Sequence, residues 1–132
     1  MDIQRWYVAI RVSGRPKRRR KHVAAEKNFE NKIKKFLEQQ GAWFVKYWAG
    51  SQFTKSGIPD ILACVNGYFL GIEVKAQNGT PSELQLYNIR KINEAGGFAF
   101  VLYPSGFDDF KEFVINLQRD TFDRSKLPAE IK

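Results

Sequence analysis

Two acidic residues and a lysine in the middle of the chain have the types and the spacing of a metal-assisted catalytic site. Asp60 follows a proline, and thirteen residues later Glu73 opens a Glu-Val-Lys triplet that ends at Lys75. Midway between the two acids lie Asn66 and Gly67. Asn-Gly is the strongest short signal for a two-residue hairpin turn, because both central residues of that turn need positive φ. A hairpin with this turn places Asp60 directly opposite Glu73.

Directly opposed residues of a hairpin share one face of the sheet, with Cβ atoms about 4.5–5.5 Å apart. Lys75 points to the same face because it lies two residues beyond Glu73. Two carboxylates held this close repel each other unless a cation lies between them or one of them stays protonated. A hard divalent ion binds carboxylate oxygens, polarises a phosphoryl oxygen and lowers the pKa of water. The register therefore predicts Asp60 and Glu73 as metal ligands and Lys75 as a residue that assists the attacking water in phosphodiester hydrolysis.

The alternative interpretation is an exposed strand in which Glu and Lys simply alternate. It accounts for a bare Glu-x-Lys more often than catalysis does. It does not explain why Asp60 faces Glu73, since like charges directly opposite each other destabilise a sheet.

Two further polar residues are candidates for the same site. Gln85 shares a helix face with Ile89 and Ile92, so we expect it to point inward, where a buried polar side chain needs a partner. Either it bonds to backbone as part of the core, or its amide orients the water or a phosphate. Glu30 borders the apolar stripe of the first helix, and the alternative there is an ordinary acid on a helix surface.

The hydrophobic pattern predicts the order helix, three strands, helix, strand, helix. The expected elements are a helix over 24–40, strands over 42–48, 58–65 and 68–76, a helix ending near 95, a strand over 98–103 and a last helix from 107. Thr80 is expected to be the N-cap of the second helix, with Pro81 at its first position and Glu83 completing a capping box. Both hairpin strands are apolar on both faces, which requires cover on both sides of the sheet and indicates an α/β fold.

Length and composition fit one globular domain, because 43% of the 132 residues are hydrophobic and 14% are aromatic. The formal net charge of +8 favours a polyanionic partner, and nucleic acid is commoner in that role than an anionic membrane. Much of the charge comes from a basic block near the N-terminus: Arg15, Lys17, Arg18, Arg19, Arg20 and Lys21. This block is a solvated tether, an arm that binds phosphates, or a nuclear import signal.

Other chemistries find little support in the sequence. Cys64 is the single cysteine, so no internal disulfide can form, and we expect a buried thiol in a reducing compartment. His22 is the single histidine, which leaves almost nothing for histidine-activated nucleophiles or histidine-rich metal sites. No stretch has the apolar length of a membrane span and no signal peptide opens the chain, so we expect a soluble, cytoplasmic protein.

These motif residues, in this order of elements, resemble the PD-(D/E)xK nuclease superfamily. The residues that carry the resemblance are Glu30, Gly57-x-Pro59-Asp60, Glu73-x-Lys75 and Gln85. Over roughly residues 26–103 the chain looks most like the stand-alone VRR-Nuc domains of phages and bacteria, and it is also similar to archaeal Holliday-junction resolvases.

The resemblance implies a fold and a division of the chain. The fold is α/β, a restriction-endonuclease-like αβββαβ core with a mixed sheet flanked by helices. Residues 24–118 would form the VRR-Nuc-like nuclease domain, residues 1–23 a basic extension and residues 119–132 a polar tail. The extension has no counterpart in the minimal domain.

The resemblance also implies a cofactor, Mg²⁺ or Mn²⁺, and a catalytic set consisting of Glu30, Asp60, Glu73, Lys75 and Gln85. The ion would be held by Asp60, Glu73 and the Val74 backbone carbonyl, with Glu30 as a further candidate ligand. Glu30 matches the first-helix acid because it stands eleven residues before the glycine that closes the helix. Ser51, in the loop ahead of Asp60, matches a serine near the scissile phosphate. The other candidates for nucleic-acid binding are Lys55, Arg18, Arg19, Arg20 and Lys21.

The expected function is therefore a Mg²⁺-dependent, structure-selective endodeoxyribonuclease that cuts branched DNA such as a four-way junction or a flap. Its contacts should go mostly to backbone phosphates, because no helix shows a face for reading bases. We expect a homodimer, in a bacterium or a phage-infected host. The alternatives are an RNA or restriction-like endonuclease on the same core, and a non-catalytic nucleic-acid-binding module.

Overall fold

The computed structural model describes residues 19–48 and 55–120. These residues form α1 (Arg19–Gln39), β1 (Trp43–Lys46), β2 (Ile61–Val65), β3 (Tyr68–Val74), α2 (Glu83–Glu94), β4 (Phe98–Leu102), a short 3₁₀ helix (Pro104–Gly106) and α3 (Phe107–Arg119). The predicted order of helix, three strands, helix, strand, helix is confirmed. Among the helices of the described residues, none has the length and apolar character that crossing a membrane requires.

The four strands form one mixed sheet in the order β1-β2-β3-β4. β2 pairs antiparallel with both β1 and β3, whereas β3 and β4 are parallel. The β2–β3 hairpin turns at Asn66 and Gly67, whose φ angles of 48° and 84° are both positive, as a type I′ turn requires. Val65 faces Tyr68, so the predicted register is correct.

Helices cover the two faces of the sheet unequally. One face packs against α1 and α3 and contains the main core, whose largest fully buried members include Phe100, Phe110, Phe113, Ile33, Leu37, Ile61, Leu70, Ile72, Leu102 and Leu117. The other face packs against α2 through a smaller cluster around Ile89, Ala99 and Val101. Glu73 pairs with Val101 across the parallel ladder, so its side chain points to the α2 face.

Among the described residues, α2 covers its face of the sheet mainly over β3 and β4, and this corrects one expectation. Cys64 was expected to be buried, but it is exposed. It lies between Trp43 on one neighbouring strand and Phe69 on the other, and these two side chains are 66% and 44% exposed. The prediction failed because apolar character on both faces of a strand does not say how far along the sheet the covering helix extends.

Several element boundaries differ from the predicted ones. β2 begins at Ile61 instead of residue 58, since Pro59 has no N–H to give to a ladder. α1 begins at Arg19 instead of residue 24, so the end of the basic block has a helical backbone. The predicted Thr80 cap of α2 is wrong. Ser82 is the N-cap, and it forms a capping box with Gln85.

Candidate active site

Asp60 lies just before β2 and is held by backbone groups of both neighbouring strands. Its carbonyl accepts a hydrogen bond of 2.8 Å from the Tyr47 N–H, which extends the β1–β2 ladder by one residue. Its carboxylate oxygen Oδ2 accepts a bond of 2.8 Å from the Val74 N–H, next to Glu73 in β3. These two bonds fix the Asp60 carboxylate beside the end of β3.

The turn that leads into Asp60 packs directly on α2. Gly57 has a φ of 78°, and a Cβ atom there would lie 2.5 Å from Leu84 Cγ and 2.9 Å from Asn88 Nδ2. The Asn88 amide is buried and donates 3.4 Å to the Ser56 carbonyl. Glycine at position 57 is therefore required both by the backbone angle and by the close approach of the turn to the helix.

Glu73 is almost completely buried, with 1% of its surface exposed. Its Oε1 accepts a hydrogen bond of 2.8 Å from Gln85 Nε2 and lies 3.5 Å from Lys75 Nζ. Its Oε2 is buried and has no hydrogen-bond partner among residues 19–48 and 55–120. Burial, reinforced by the negative charge of Asp60 and only partly offset by Lys75, raises the pKa of Glu73 to about 8.

The donor set fits a hard divalent cation. Glu73 Oε2 lacks a donor, and the neighbouring Asp60 carboxylate can only accept, so a proton or a cation has to satisfy this oxygen. The oxygens of Asp60 and Glu73 are ligands of the type that Mg²⁺ prefers, and such an ion usually keeps several waters. In residues 19–48 and 55–120, no group of three or more His, Cys, Asp or Glu side chains is arranged to hold a metal ion. The fit therefore rests on two carboxylates.

Gln85 connects this pair of acids to the start of α2. Its Oε1 accepts 2.8 Å from the Ser82 N–H, while its Nε2 donates to Glu73. The amide thus completes the helix cap and positions the carboxylate at the same time. It points inward from the first turn, as the spacing predicts, and it bonds both to a backbone N–H and to Glu73. Its expected contact with a water or a phosphate stays a prediction.

Glu30 lies on α1 and belongs to a different environment. Its carboxylate pairs with Lys27 at 3.1 Å, with Lys34 at 3.3 Å and with Lys46 by a short hydrogen bond. Burial acts to raise the pKa of Glu30, but the hydrogen bonds from Lys46 and Lys27 outweigh it, so the pKa lies below its ordinary value. Glu30 is therefore a charged carboxylate surrounded by ammonium groups.

Lys46 links the two acidic groups, and sequence reasoning missed it. Its Nζ contacts Glu30 and lies 3.3 Å from Asp60 Oδ1. Burial would lower the pKa of Lys46, but its hydrogen bond to Glu30 and the charge of Asp60 leave the pKa raised. The sequence signal that could have revealed it is its place in the strand. Lys46 lies on the same inward-facing side of β1 as the half-buried Phe44.

Glu26, one helical turn before Glu30, also lies near the site. Burial raises its pKa, Lys75 opposes that shift, and the charge of Asp60 reinforces it. Because the charges of Lys75 and Asp60 both act on Glu26, this part of α1 lies near these two catalytic candidates.

The residues predicted to bind nucleic acid are only partly described. Ser51 and Arg18 lie outside the described residues, and for Arg19, Arg20 and Lys21 the structure describes the helical backbone but not the side chains. Lys55 is exposed, and its carbonyl accepts 2.7 Å from the Tyr47 hydroxyl. This bond fixes Lys55 to Tyr47, whose N–H is in turn bonded to the Asp60 carbonyl.

Comparison with models of known protein families identifies a family to which the chain is similar. The family model for archaeal Holliday junction resolvases matches residues 21–103, which is more than half of the chain. No curated protein and no solved structure matches the chain. The match confirms the resemblance to PD-(D/E)xK nucleases and the restriction-endonuclease-like α/β fold, whereas the closer likeness to VRR-Nuc domains stays a prediction. The chain belongs to the archaeal Holliday junction resolvase family, a family of nucleases.

Proposed function

We propose that this protein is a divalent-metal-dependent endonuclease that hydrolyses phosphodiester bonds in branched DNA, with the four-way junction as its first substrate class. The observation that carries the proposal is the buried Glu73 Oε2, which has no donor in the described part of the chain and lies in a carboxyl group whose pKa is raised to about 8. Strongly perturbed acids in a polar site are typical of catalysis. Family membership supports nuclease activity, while the metal and the branched geometry are part of the proposal.

Asp60, Glu73 and the Val74 carbonyl would hold the ion, and Mg²⁺ or Mn²⁺ suits these oxygen ligands. When bound, such an ion polarises a phosphoryl oxygen and makes water a better nucleophile. Lys75, whose Nζ lies 3.5 Å from Glu73, would hold the attacking water or a non-bridging phosphate oxygen as a compact positive charge. Gln85 keeps the Glu73 carboxylate in one orientation through its bond to Oε1.

Glu30 and Lys46 would act on the site indirectly. Lys46 lies 3.3 Å from Asp60 Oδ1, so it fixes the orientation of that ligand and adds positive charge where a phosphate would approach. Glu30 holds Lys46 in place. Glu30 is retained as a further candidate ligand, although three lysines now occupy its carboxylate.

Charge supports a polyanionic substrate. The chain carries a formal net charge of +8, and phosphate contacts by Lys and Arg supply most of the sequence-independent affinity for DNA. We assign the basic block over 15–21, together with Lys55 and Ser51, to this binding. Removal of the block should flatten the salt dependence of DNA binding, and an unchanged slope would make it a tether.

A homodimer is part of the proposal, because a four-way junction presents equivalent strands to a two-fold pair of sites. The exposed side chains of Trp43, Val45 and Phe69 support a contact with a second copy, since exposed apolar patches mark interaction surfaces. Sedimentation tests this contact. Phe69→Glu should lower the fraction of dimer, whereas Ile115→Glu, a change of an exposed apolar residue on α3, should not. Wild type that sediments as a monomer at all concentrations contradicts it.

The deciding experiment is a cleavage panel. Supercoiled plasmid, a synthetic four-way junction, a flap and a structured RNA are each incubated with the protein, with and without Mg²⁺ or Mn²⁺. Asp60→Asn and Lys75→Met are compared with matched surface changes. The controls are Asp108→Asn and Lys91→Met, whose side chains are 96% and 54% exposed. We expect ion-dependent cutting of the junction by wild type and both controls, and none by the two site variants.

Each contrary outcome has a distinct meaning. Binding without cleavage under every divalent ion contradicts catalysis and favours the non-catalytic module. Cutting of RNA in preference to the junction contradicts branched DNA as the substrate class and favours an RNA endonuclease. Full activity of Asp60→Asn contradicts the assignment of the site.

A further inference from the structure

Trp48 is a large aromatic residue that lies exposed at the edge of the candidate active site. It follows β1 directly, two residues after Lys46, and it is 69% exposed. The Lys46 ammonium lies 5.4 Å from the centre of the indole ring and 3.3 Å from Asp60 Oδ1. A single side chain therefore separates the ring from a predicted metal ligand.

A second cation lies on the same ring. The Lys27 ammonium is 5.8 Å from the ring centre, its side chain is 52% exposed, and it also pairs with Glu30. The surface thus combines a flat aromatic ring with positive charges beside it. Proteins that bind single-stranded nucleic acid use this combination: the charges follow the backbone and bases stack on the rings.

The position of Trp48 is fixed by the residue before it. The Tyr47 N–H donates 2.8 Å to the Asp60 carbonyl, and the Tyr47 hydroxyl donates 2.7 Å to the Lys55 carbonyl. Backbone and side chain of Tyr47 therefore anchor this segment to the approach to Asp60. Because the backbone that carries the indole is already fixed, binding through the ring costs less conformational entropy.

We propose that the Trp48 indole is a stacking platform for a nucleobase of DNA that has one face without a stacked neighbour, and that the phosphate of this nucleotide lies beside Lys27 and Lys46. The inference rests on the proposed nuclease function and adds a basis for substrate selection. A base inside a continuous duplex has neighbours stacked on both of its faces and cannot use the ring. A base at a branch point or in a flap can, so the ring favours interrupted DNA over intact duplex.

Binding without divalent ions tests the proposal on the full-length protein. Three labelled DNAs of matched sequence are used: a linear duplex, a duplex with a single-stranded flap and a four-way junction. Trp48→Leu removes the aromatic face and keeps apolar bulk, and Trp48→Phe keeps an aromatic face. The matched control is Tyr87→Leu on α2, an exposed aromatic residue (44%) whose ring also lies beside cations, those of Arg90 and Lys91.

We expect Trp48→Leu to bind the flap and the junction roughly 5- to 150-fold more weakly, the range that loss of one stacked base gives. Its affinity for linear duplex should be unchanged. Trp48→Phe should retain most of the affinity, and Tyr87→Leu should behave as wild type. Unchanged binding of Trp48→Leu to all three DNAs overturns the proposal, and so does an equal loss on all three.

A fluorescence measurement adds a readout that does not depend on losing a side chain. In a protein carrying Trp6→Phe and Trp43→Phe, the single remaining tryptophan is Trp48. Its emission should be quenched by the flap DNA and not by the linear duplex. Emission that is unaffected by the flap overturns the proposal.

The nuclease proposal fails separately from this one. If wild type cuts nothing in Mg²⁺ or Mn²⁺ while Trp48→Leu selectively loses flap and junction binding, catalysis is contradicted and stacking is supported. If wild type cuts the junction and Trp48→Leu binds and cuts equally well, catalysis is supported and stacking is overturned.

Discussion

Glu30 and Glu73 are both buried, at 5% and 1% exposure, yet their pKa values shift in opposite directions. The pKa of Glu30 is lowered because hydrogen bonds from lysines outweigh burial. The pKa of Glu73 is raised to about 8 because burial and the charge of Asp60 outweigh Lys75. Burial penalises a charged carboxylate in both places, so the number and distance of the cations decide the outcome.

The difference separates a completed ion cluster from an incomplete one. Glu30 has three ammonium partners, and both of its oxygens are paired. Within the residues that the structure describes, Glu73 has one amide donor and one lysine on the same oxygen, and its other oxygen has no partner. A divalent cation would supply to Glu73 what the lysines already supply to Glu30. The predictions that follow test this contrast, beginning with the largest effect.

Substitution at the incomplete cluster should slow cleavage strongly while the fold persists. Lys75→Met should lower the cleavage rate by about 10²–10³-fold, the loss that follows removal of one preorganised electrostatic group. Single-turnover cleavage of a junction measures it, with Lys91→Met as the control. A rate within about threefold of wild type, far short of that expected loss, would contradict a catalytic role for Lys75.

The metal-free protein should lose stability as pH rises, because of Glu73. Its ordinary pKa is 4.5 and its folded pKa is about 8, so the folded state holds a proton that the unfolded chain releases. The stability from this group is fully present below pH 4.5 and is lost as pH rises through 8. Relative to Glu73→Gln, wild type should lose on the order of 4 kcal/mol of unfolding free energy across that window.

Urea unfolding in EDTA at several pH values measures this difference. Glu94→Gln, an exposed acid on α2, should follow the wild-type curve. Parallel curves for wild type and Glu73→Gln would show that burial of the carboxyl does not raise its pKa.

The completed cluster should behave in the opposite way. Glu30→Gln leaves Lys46, Lys34 and Lys27 without their shared carboxylate, and it should cost about 1.5–3 kcal/mol of unfolding free energy at neutral pH. Since the folded pKa of Glu30 is lowered, its contribution is present above the ordinary pKa and is lost as pH falls through the folded one. Glu38→Gln, on the exposed side of α1, is the matched control and should change little.

The amide that orients Glu73 should affect ion binding more than the fold. Gln85→Leu removes the 2.8 Å bond to Oε1, and loss of such an orienting partner typically weakens metal affinity 10–100-fold. Calorimetric titration with Mn²⁺ gives the affinity. Because Gln85 also closes the cap at Ser82, Ser82→Ala serves as a comparison that removes the cap alone. Equal metal affinity of Gln85→Leu and Ser82→Ala would assign Gln85 to the cap only.

The smallest effect should come from an ion pair without burial. Lys91 and Glu94 pair at 3.3 Å, but both side chains are more than half exposed. Lys91→Ala should change the unfolding free energy by about 0.5 kcal/mol or less, as solvent-exposed pairs usually do. A loss as large as that of Glu30→Gln would mean that burial does not separate these two clusters.

The sequence predicted the half of the site that one short turn determines. Asn66 and Gly67 allow one register, and that register alone brings Asp60 next to Glu73. Lys46 could not be found in this way, because a long connection, and not a two-residue turn, joins β1 to β2. Nothing local to that connection fixes which residue of β1 faces Asp60.

Two other misses have tertiary causes. Thr80 and Ser82 are both good N-caps by composition, and Ser82 takes the position where one Gln85 amide satisfies both the cap and Glu73. The exposure of Cys64 depends on how far α2 extends over the sheet, which the strand's own apolar pattern does not encode. Elements were therefore predictable from local pattern, whereas contacts between elements were predictable only where a turn linked them.

Calorimetric titration of the metal-free protein with Mn²⁺ near neutral pH tests most directly whether Glu73 and Asp60 complete a cation site. Wild type and Glu30→Gln should each bind one ion per chain, while Glu73→Gln and Asp60→Asn should bind none. Equal binding by Glu73→Gln and wild type, or no binding by a folded wild type, would contradict the account.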